Sequence, residues 1–123
     1  KDVSGIINKG GTIIKSARSK RFMEKNFRDI AKQNLKNLDI NMLIVLGGDG
    51  SFRGLDIFSK ESGVEFCGVP STIDNDINKT DYCLGVDTAL NIIKTSLDAI
   101  RDTASSFQRA FIVETMGRDC GYL

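Results

Sequence analysis

A glycine-rich segment, residues 47–51 (Gly-Gly-Asp-Gly-Ser), has the residue types of a phosphate-binding turn. Glycines let a backbone approach a ligand closely, and the N–H groups at the start of a following helix favour phosphate. Asp49 adds a carboxylate beside that phosphate, which is costly unless a cation such as Mg²⁺ bridges the two charges. Ser51 can cap the helix or bind the phosphate, and the alternative is an ordinary tight turn capped by Asp49. Neither the Walker A pattern nor G-x-G-x-x-G is present, so the segment predicts a nucleotide site of another type.

An acidic segment, residues 70–76 (Pro-Ser-Thr-Ile-Asp-Asn-Asp), contains candidates for a general base. Transfer of a phosphoryl group to an alcohol requires a group that takes the hydroxyl proton and holds the oxygen in line. Asp74 is the better candidate, because Thr72 lies in the same loop as a polar orienting group. Asp76 can assist electrostatically or bond the backbone of its own loop. The alternative is a turn rich in Asp and Asn, which these residue types also favour.

A Met-Gly-Arg tripeptide at 116–118 follows an apolar run near the end of the chain. Arg118 can bind a phosphate with two parallel hydrogen bonds, or neutralise charge that develops during transfer. The alternative is a surface salt bridge. Arg18 and Arg109 also flank predicted strands, but each of them alone is more often a solvated charge.

The apolar pattern predicts alternating strands and helices. Strands are predicted at 12–14, 42–46, 64–69 and 110–113, and helices at 3–9, 22–37, 51–61 and 86–102. The continuous apolar run at 42–46 is typical of a strand covered by helices on both faces, so we expect an α/β fold with a parallel sheet. Ligands bind outside the carboxyl ends of such strands. We therefore expect Asp49, Asp74 and Arg118 to meet at one edge of the sheet.

Composition supports a folded domain or part of one. The chain has 123 residues, of which 41% are hydrophobic and 27% charged, with a formal net charge of +1. These values argue against disorder, collagen and coiled coil, and no apolar stretch has the ~18 residues of a membrane helix. The chain does not begin with methionine, and it ends close behind the Met-Gly-Arg tripeptide. We expect it to be an interior piece of a longer protein.

Cysteine usage and charge distribution exclude further classes. The three cysteines Cys67, Cys83 and Cys120 form no C-x-x-C pair and the chain has no histidine, which argues against a zinc site and favours reduced thiols in a cytoplasmic protein. Basic residues concentrate in residues 1–36, but they are not interleaved with aromatic residues. We therefore expect no nucleic-acid partner, and no membrane partner.

Taken together, the three segments resemble the bacterial ATP-dependent 6-phosphofructokinase family. Gly-Gly-Thr at 10–12 and Arg-Asp-Thr at 101–103 look like the same family, so the similarity runs over essentially all 123 residues. Gly-Gly-Asp-Gly alone is shared with NAD kinases and diacylglycerol kinases, but its combination with the other two segments is specific. The resemblance implies a parallel-sheet three-layer sandwich, of which residues 1–123 are a part. The family's first phosphate loop and its later sugar-binding residues would lie upstream and downstream.

The resemblance also implies a reaction and a set of site residues. The γ-phosphoryl group of Mg·ATP would pass to the 1-hydroxyl of fructose 6-phosphate, giving fructose 1,6-bisphosphate and ADP in glycolysis. Asp74 would be the proton acceptor, assisted by Thr72 and Arg118, and Asp49 would hold Mg²⁺. The implied ATP contacts are Arg18, Ser19, Gly48, Asp49, Gly50, Ser51 and Gly54. The implied fructose 6-phosphate contacts are Thr72, Ile73, Asp74, Arg109, Met116, Gly117 and Arg118.

Regulation and assembly are implied by the same resemblance. Arg109 would reach the sugar phosphate across a subunit interface, which makes a homo-oligomer, usually a tetramer. Arg101 matches a position that binds a nucleotide effector. Pyrophosphate-dependent relatives are the alternative, but they typically have Asp in place of Gly50 and Lys in place of Ser71. A non-catalytic nucleotide-binding fragment of the same fold is the other alternative, and we expect this chain alone to be inactive.

Overall fold

The computed structural model describes residues 3–123, which form a mixed α/β unit. A 3₁₀ turn (Lys20–Met23) precedes the first helix, and the regular elements are α1 (Lys25–Asn37), β1 (Met42–Gly47), α2 (Asp49–Ser62), β2 (Glu65–Pro70) and α3 (Val86–Phe107). The two strands pair in parallel, from Met42 opposite Glu65 to Gly47 opposite Pro70. The predicted α/β class with a parallel sheet is therefore confirmed.

Helix α2 is the crossover between the two parallel strands. It ends at Gly63, whose left-handed backbone (φ 75°) lets its N–H donate to the carbonyl oxygen of Ser59 at 2.8 Å. Glycine adopts this conformation without the steric penalty of a Cβ atom. The chain therefore turns sharply into β2, and the register places Gly47 and Pro70 side by side at the carboxyl end of the sheet.

Helix α2 covers one face of the sheet. The ring of Phe52 packs so closely on β2 that a Cβ atom at Gly68 would lie 2.9 Å from it. On the same face, Leu43 and Val45 of β1 are half-buried, and Phe58 of α2 is only 3% exposed. The hydrophobic core of this unit therefore lies between α2 and the sheet.

The other face of β1 is open. Met42, Ile44 and Leu46 are 57%, 70% and 63% exposed, and they alternate with the half-buried residues of the strand. We expected helices on both faces of this strand, but within residues 3–123 only the face toward α2 is covered. The apolar run at 42–46 thus predicts the strand correctly, while its second layer is not contributed by the described part of the chain.

An ion pair joins α1 to α2. The guanidinium of Arg28, a buried residue, donates to both carboxylate oxygens of Glu61 at 2.6 and 2.8 Å, and to the carbonyl oxygen of Phe22 at 2.9 Å. The hydrogen bonding between the two side chains raises the pKa of Arg28 and lowers the pKa of Glu61. The ring of Phe22 packs on Phe58 with a centroid separation of 5.5 Å. The 3₁₀ turn, α1 and α2 are therefore held together by the hydrogen bonds of Arg28 and by the contact between the Phe22 and Phe58 rings.

Several predicted elements differ from the structure. The helix predicted at 22–37 begins at Lys25 after the 3₁₀ turn, the helix at 51–61 begins earlier at Asp49, and the helix at 86–102 continues to Phe107. The predictions of a helix at 3–9 and of strands at 12–14 and 110–113 are wrong, because these segments form turns and irregular backbone. A strand requires a hydrogen-bonded neighbour. The described residues offer none to these two apolar runs, and Ile14 and Ile112 are almost fully exposed.

The structure also bears on the cysteines and on membrane insertion. All three cysteines carry free thiols, with Cys83 buried and the other two exposed. Among residues 3–123, no helix combines the length and the apolar character that crossing a bilayer requires.

We expect Gly68→Ala to destabilise the protein that contains this chain by about 1–3 kcal/mol, because the added methyl group would overpack the Phe52 ring. Urea unfolding would measure this loss. Gly10→Ala is the matched control, since a Cβ atom there meets nothing within 4 Å. Phe52→Leu should recover part of the loss in the Gly68→Ala background. Equal unfolding midpoints for the two alanine variants would contradict the packing described above.

We expect the Arg28–Glu61 pair to make stability depend on acidity. Since the folded state holds the pKa of Glu61 below its ordinary value of 4.5, the stabilisation is present above that pH and is lost as the pH falls through the lowered folded-state pKa. The stability difference between the unmodified protein and Glu61→Gln should therefore be full near neutral pH and shrink in acid. Thermal unfolding across pH would measure it, with Glu65→Gln as the exposed control. A difference that does not change with pH would show that Glu61 stabilises by packing alone.

Candidate active site

The junction between β1 and α2 exposes the start of a helix. Gly47 ends the strand, Gly48 is the N-terminal capping residue without a side-chain cap, and α2 begins at Asp49. A Cβ atom at Gly47 would lie 2.7 Å from the Ser51 hydroxyl oxygen, whereas a Cβ atom at Gly50 would meet nothing within 4 Å. The first N–H groups of a helix lack intrahelical partners and attract anions. This junction therefore offers N–H donors and open space to a phosphate group.

Asp49 lies in the first turn of α2 and is exposed. Its carboxylate accepts a hydrogen bond from Arg53 at 3.0 Å, one helical turn further along. The side chains of Asp49 and Arg53 are 57% and 79% exposed, and exposed ion pairs of this kind contribute little stability. The carboxylate of Asp49 is therefore accessible to a competing cation at the open start of the helix.

The loop after β2 lies directly against this junction. The N–H of Ser71 donates to the carbonyl oxygen of Gly47 at 2.8 Å, and a Cβ atom at Gly48 would be 3.3 Å from that of Thr72. The hydroxyl oxygen of Thr72 accepts the N–H of Asp74 at 3.2 Å. The glycine-rich and acidic segments thus meet at the carboxyl end of the sheet, as expected for parallel strands.

Asp74 and Arg118 form an ion pair across 44 residues of sequence. The guanidinium donates to a carboxylate oxygen of Asp74 at 2.8 Å, and the two side chains are 11% and 78% exposed for Asp74 and Arg118 respectively. The hydrogen bond and the charge of Asp74 raise the pKa of Arg118, to which Asp76 and Asp119 add. A nearly buried carboxylate is therefore balanced by a guanidinium that solvent can reach.

The remaining predicted nucleotide contacts are Gly54 in α2 and the two residues before the 3₁₀ turn, which packs on that helix. Ser19 is the capping residue of the 3₁₀ turn, and Arg18 directly precedes it. Phe22 of that turn lies against α2, with its ring 3.8 Å from where a Cβ atom of Gly54 would be. The missing side chain at Gly54 thus leaves room for the Phe22 ring. This contact places the 3₁₀ turn, which follows Arg18 and Ser19, against α2.

Three other predicted site residues make no side-chain hydrogen bond or ion pair with Asp74 or Arg118. The guanidinium of Arg109 lies over the Phe107 ring at 5.1 Å. Arg101 pairs with Asp98 at 3.4 Å on the surface of α3. Met116 is 78% exposed. These three residues lie at the surface of the described chain.

Two residues near the site were not predicted to have the contacts they make. Arg53 pairs with Asp49, and their spacing of four residues within a helix is the sequence signal that could have predicted this pair. Asn75 uses both ends of its side-chain amide within its own loop. Its residue type predicts a turn but not which backbone groups it bonds.

The family of the chain follows from comparison with known proteins. A family model described as Phosphofructokinase matches residues 1–123. The chain belongs to the phosphofructokinase family. Two curated relatives of it, both named ATP-dependent 6-phosphofructokinase, come from Sulfurimonas denitrificans (78% identical over 122 residues) and Wolinella succinogenes (59% over 123 residues). They match 99% and 100% of this chain, which spans 38% and 39% of their lengths.

Solved phosphofructokinases share the fold. The enzyme from Saccharomyces cerevisiae superposes with a TM-score of 0.83 at 35% identity over 91% of this chain and 18% of that chain. The Pichia pastoris phosphofructokinase in the T-state gives 0.84 at 39% identity over 98% of this chain and 15% of that chain. The parallel α/β unit is therefore a partial phosphofructokinase fold.

We expect Thr72→Val to loosen the turn before Asp74, because valine keeps the shape of threonine but cannot accept the Asp74 N–H. A lost hydrogen bond of this kind costs about 0.5–1.5 kcal/mol, so amide exchange at Asp74 should accelerate up to about tenfold. Thr72→Ser retains the hydroxyl and is the matched control. Hydrogen exchange measured on the protein that contains this chain would test it. Equal exchange in the valine and serine variants would contradict the role of the hydroxyl.

Proposed function

We propose that the protein containing this chain is an ATP-dependent 6-phosphofructokinase. It would transfer the γ-phosphoryl group of Mg·ATP to the 1-hydroxyl of fructose 6-phosphate, giving fructose 1,6-bisphosphate and ADP in the glycolysis of the cytoplasm. The observation that carries the proposal is the contact between Asp74 and Arg118 beside the open start of α2. Asp74 would be the base, Arg118 the cation and the start of α2 the anion-binding group, all at one edge of the sheet in a member of this family.

Asp74 is the proposed general base. Its carboxylate would take the proton of the 1-hydroxyl as the oxygen attacks phosphorus. The hydrogen bond from the backbone N–H of Asp74 to the Thr72 hydroxyl would hold the backbone in place. In the structure, Arg118 occupies one of its oxygens. The other oxygen is the one that would take the proton, and the exposure of the guanidinium permits Arg118 to turn toward the anionic substrate.

Arg118 is the proposed charge-stabilising group. A guanidinium binds phosphate oxygens with parallel hydrogen bonds, and its fixed charge offsets the charge that spreads over the transferring group. The guanidinium of Arg118 is protonated at any physiological pH, and in the structure its hydrogen bond with Asp74 raises its pKa further. Thr72, Ile73, Met116 and Gly117 would line the sugar-phosphate site beside it.

Asp49 is the proposed Mg²⁺ ligand. Mg²⁺ is typically bound by one or two carboxylates together with substrate phosphates and water. One exposed carboxylate at the start of α2 fits that mode, and residues 3–123 contain no group of three ligating side chains that would hold the ion alone. When bound, the ion would neutralise charge on the β- and γ-phosphates. The proposed ATP contacts are Arg18, Ser19, Gly48, Asp49, Gly50, Ser51 and Gly54.

Two residues favour ATP over pyrophosphate as donor. Gly50 leaves open space at the start of α2, where the additional phosphate and nucleoside of ATP need room. Ser71 supplies no charge, whereas a lysine there would favour a smaller and denser anion. We therefore propose ATP as the donor.

Assembly and regulation extend the proposal beyond this chain. Arg109 would reach the sugar phosphate of a neighbouring subunit in a homo-oligomer, a tetramer, and its exposed position supports this. Arg101, exposed on α3, would bind a nucleotide effector. Because the chain spans 38% of the length of a close relative, we expect turnover only in the protein that contains it.

We expect Asp74→Asn to lower kcat by on the order of 10² or more while binding of fructose 6-phosphate survives, because the amide cannot accept the hydroxyl proton. Steady-state kinetics with ATP, and separately with pyrophosphate, would measure it. Asp81→Asn is the control, since it removes an exposed carboxylate from the same loop. Near-normal kcat in Asp74→Asn would remove Asp74 from this role. Turnover of the unmodified protein with pyrophosphate but not with ATP would overturn the proposed donor.

A further inference from the structure

The loop that carries Asp74 is closed at its base and bridged by one side chain. After β2, the chain leaves at Ser71 and returns at Leu84, whose N–H donates to the carbonyl oxygen of Pro70 at 2.8 Å. Inside this loop, the Nδ2 group of Asn75 donates to the carbonyl oxygen of Asp81 at 3.1 Å, and its Oδ1 accepts the N–H of Cys83 at 2.8 Å. The side chain of Asn75 thus joins the outgoing and returning halves of the loop.

The bridge ends on the most buried part of the loop. Cys83 is 3% exposed, and Val86, three residues later, is fully buried at the start of α3. Asn75 itself has a left-handed backbone with φ 48°, which asparagine tolerates better than most residues. The side-chain amide of Asn75 therefore connects the backbone turn next to Asp74 to the buried start of α3.

Asp74 is held from both sides. Its own N–H bonds the hydroxyl of Thr72 at 3.2 Å, and the N–H of the following residue, Asn75, bonds the carbonyl oxygen of Thr72 at 3.3 Å. Since Asn75 is fixed in turn by Asp81 and Cys83, the peptide units on both sides of the Asp74 Cα atom are constrained. These constraints flank the residue whose carboxylate accepts the hydrogen bond of Arg118.

We propose that Asn75 is a positioning residue, which sets the direction of the Asp74 carboxylate by bridging the two halves of the loop between β2 and α3. The proposal rests on the proposed function, in which this carboxylate accepts the proton. Asn75 touches no reacting atom, so its effect passes entirely through Asp74.

The segment that carries Arg118 meets this loop at Asp74, where the guanidinium donates to a carboxylate oxygen at 2.8 Å. A change in the direction of that carboxylate would therefore alter the contact between the proposed base and the guanidinium.

The test is Asn75→Gly in the protein that contains this chain. Glycine accepts the positive φ and removes both side-chain bonds, while the backbone freedom that it adds is also introduced by the control variant below. A small displacement of a catalytic group can cost up to about 10²-fold in rate, so we expect kcat to fall by about tenfold or more while KM for fructose 6-phosphate changes less than about twofold. Asn78→Gly, an exposed asparagine in the same loop, is the matched control and should leave kcat unchanged.

A double-mutant cycle separates positioning from a general structural effect. If Asn75 acts through Asp74, Asn75→Gly should lower kcat by less than about twofold in the Asp74→Asn background. An equal loss in both backgrounds, or an unchanged kcat in the single variant, would overturn the proposal.

Amide exchange at Cys83 distinguishes a failure of this proposal from a failure of the proposed function. Inactivity of the unmodified protein with ATP and fructose 6-phosphate would overturn the function. Unchanged Cys83 exchange in Asn75→Gly would overturn the bridge whatever the activity, whereas faster exchange confirms it.

Discussion

The parallel pairing of β1 with β2 is the constraint from which the site arises. Helix α2 carries the chain back, so that β2 runs in the same direction as β1. The two strands therefore end at the same edge, where the N–H of Ser71 donates to the carbonyl oxygen of Gly47. An antiparallel arrangement would have placed them at opposite ends. The site thus depends on a crossover helix whose fit to the sheet requires a glycine at position 68.

Charge balance at this edge combines burial with access. Asp74 is almost enclosed, and an enclosed carboxylate needs a compensating cation. Arg118 provides that charge from a side chain that remains largely in water. A cation of this kind can neutralise the resting base and still be drawn away by an arriving anion, so the same group serves the empty and the occupied site.

Local patterns in the sequence were sufficient for some features and not for others. The apolar run at 42–46 and the periodic helix after Val86 were predictable because burial dictates their spacing. The run at 110–113 is also apolar but forms no strand, since pairing depends on a neighbour that local composition does not encode. The glycine-rich and acidic segments meet as the strand-end rule predicts, whereas Arg118 reaches Asp74 from an irregular segment that follows no strand. The Arg28–Glu61 pair, 33 residues apart, leaves no local trace.

The uncovered side of β1 has a consequence for how this stretch of protein must be made. Met42, Ile44 and Leu46 present a row of apolar side chains to water, and such surfaces promote association between chains. During synthesis, this stretch would leave the ribosome with an adhesive surface until other parts of the polypeptide cover it. The interval before that covering is when chaperones have most to protect.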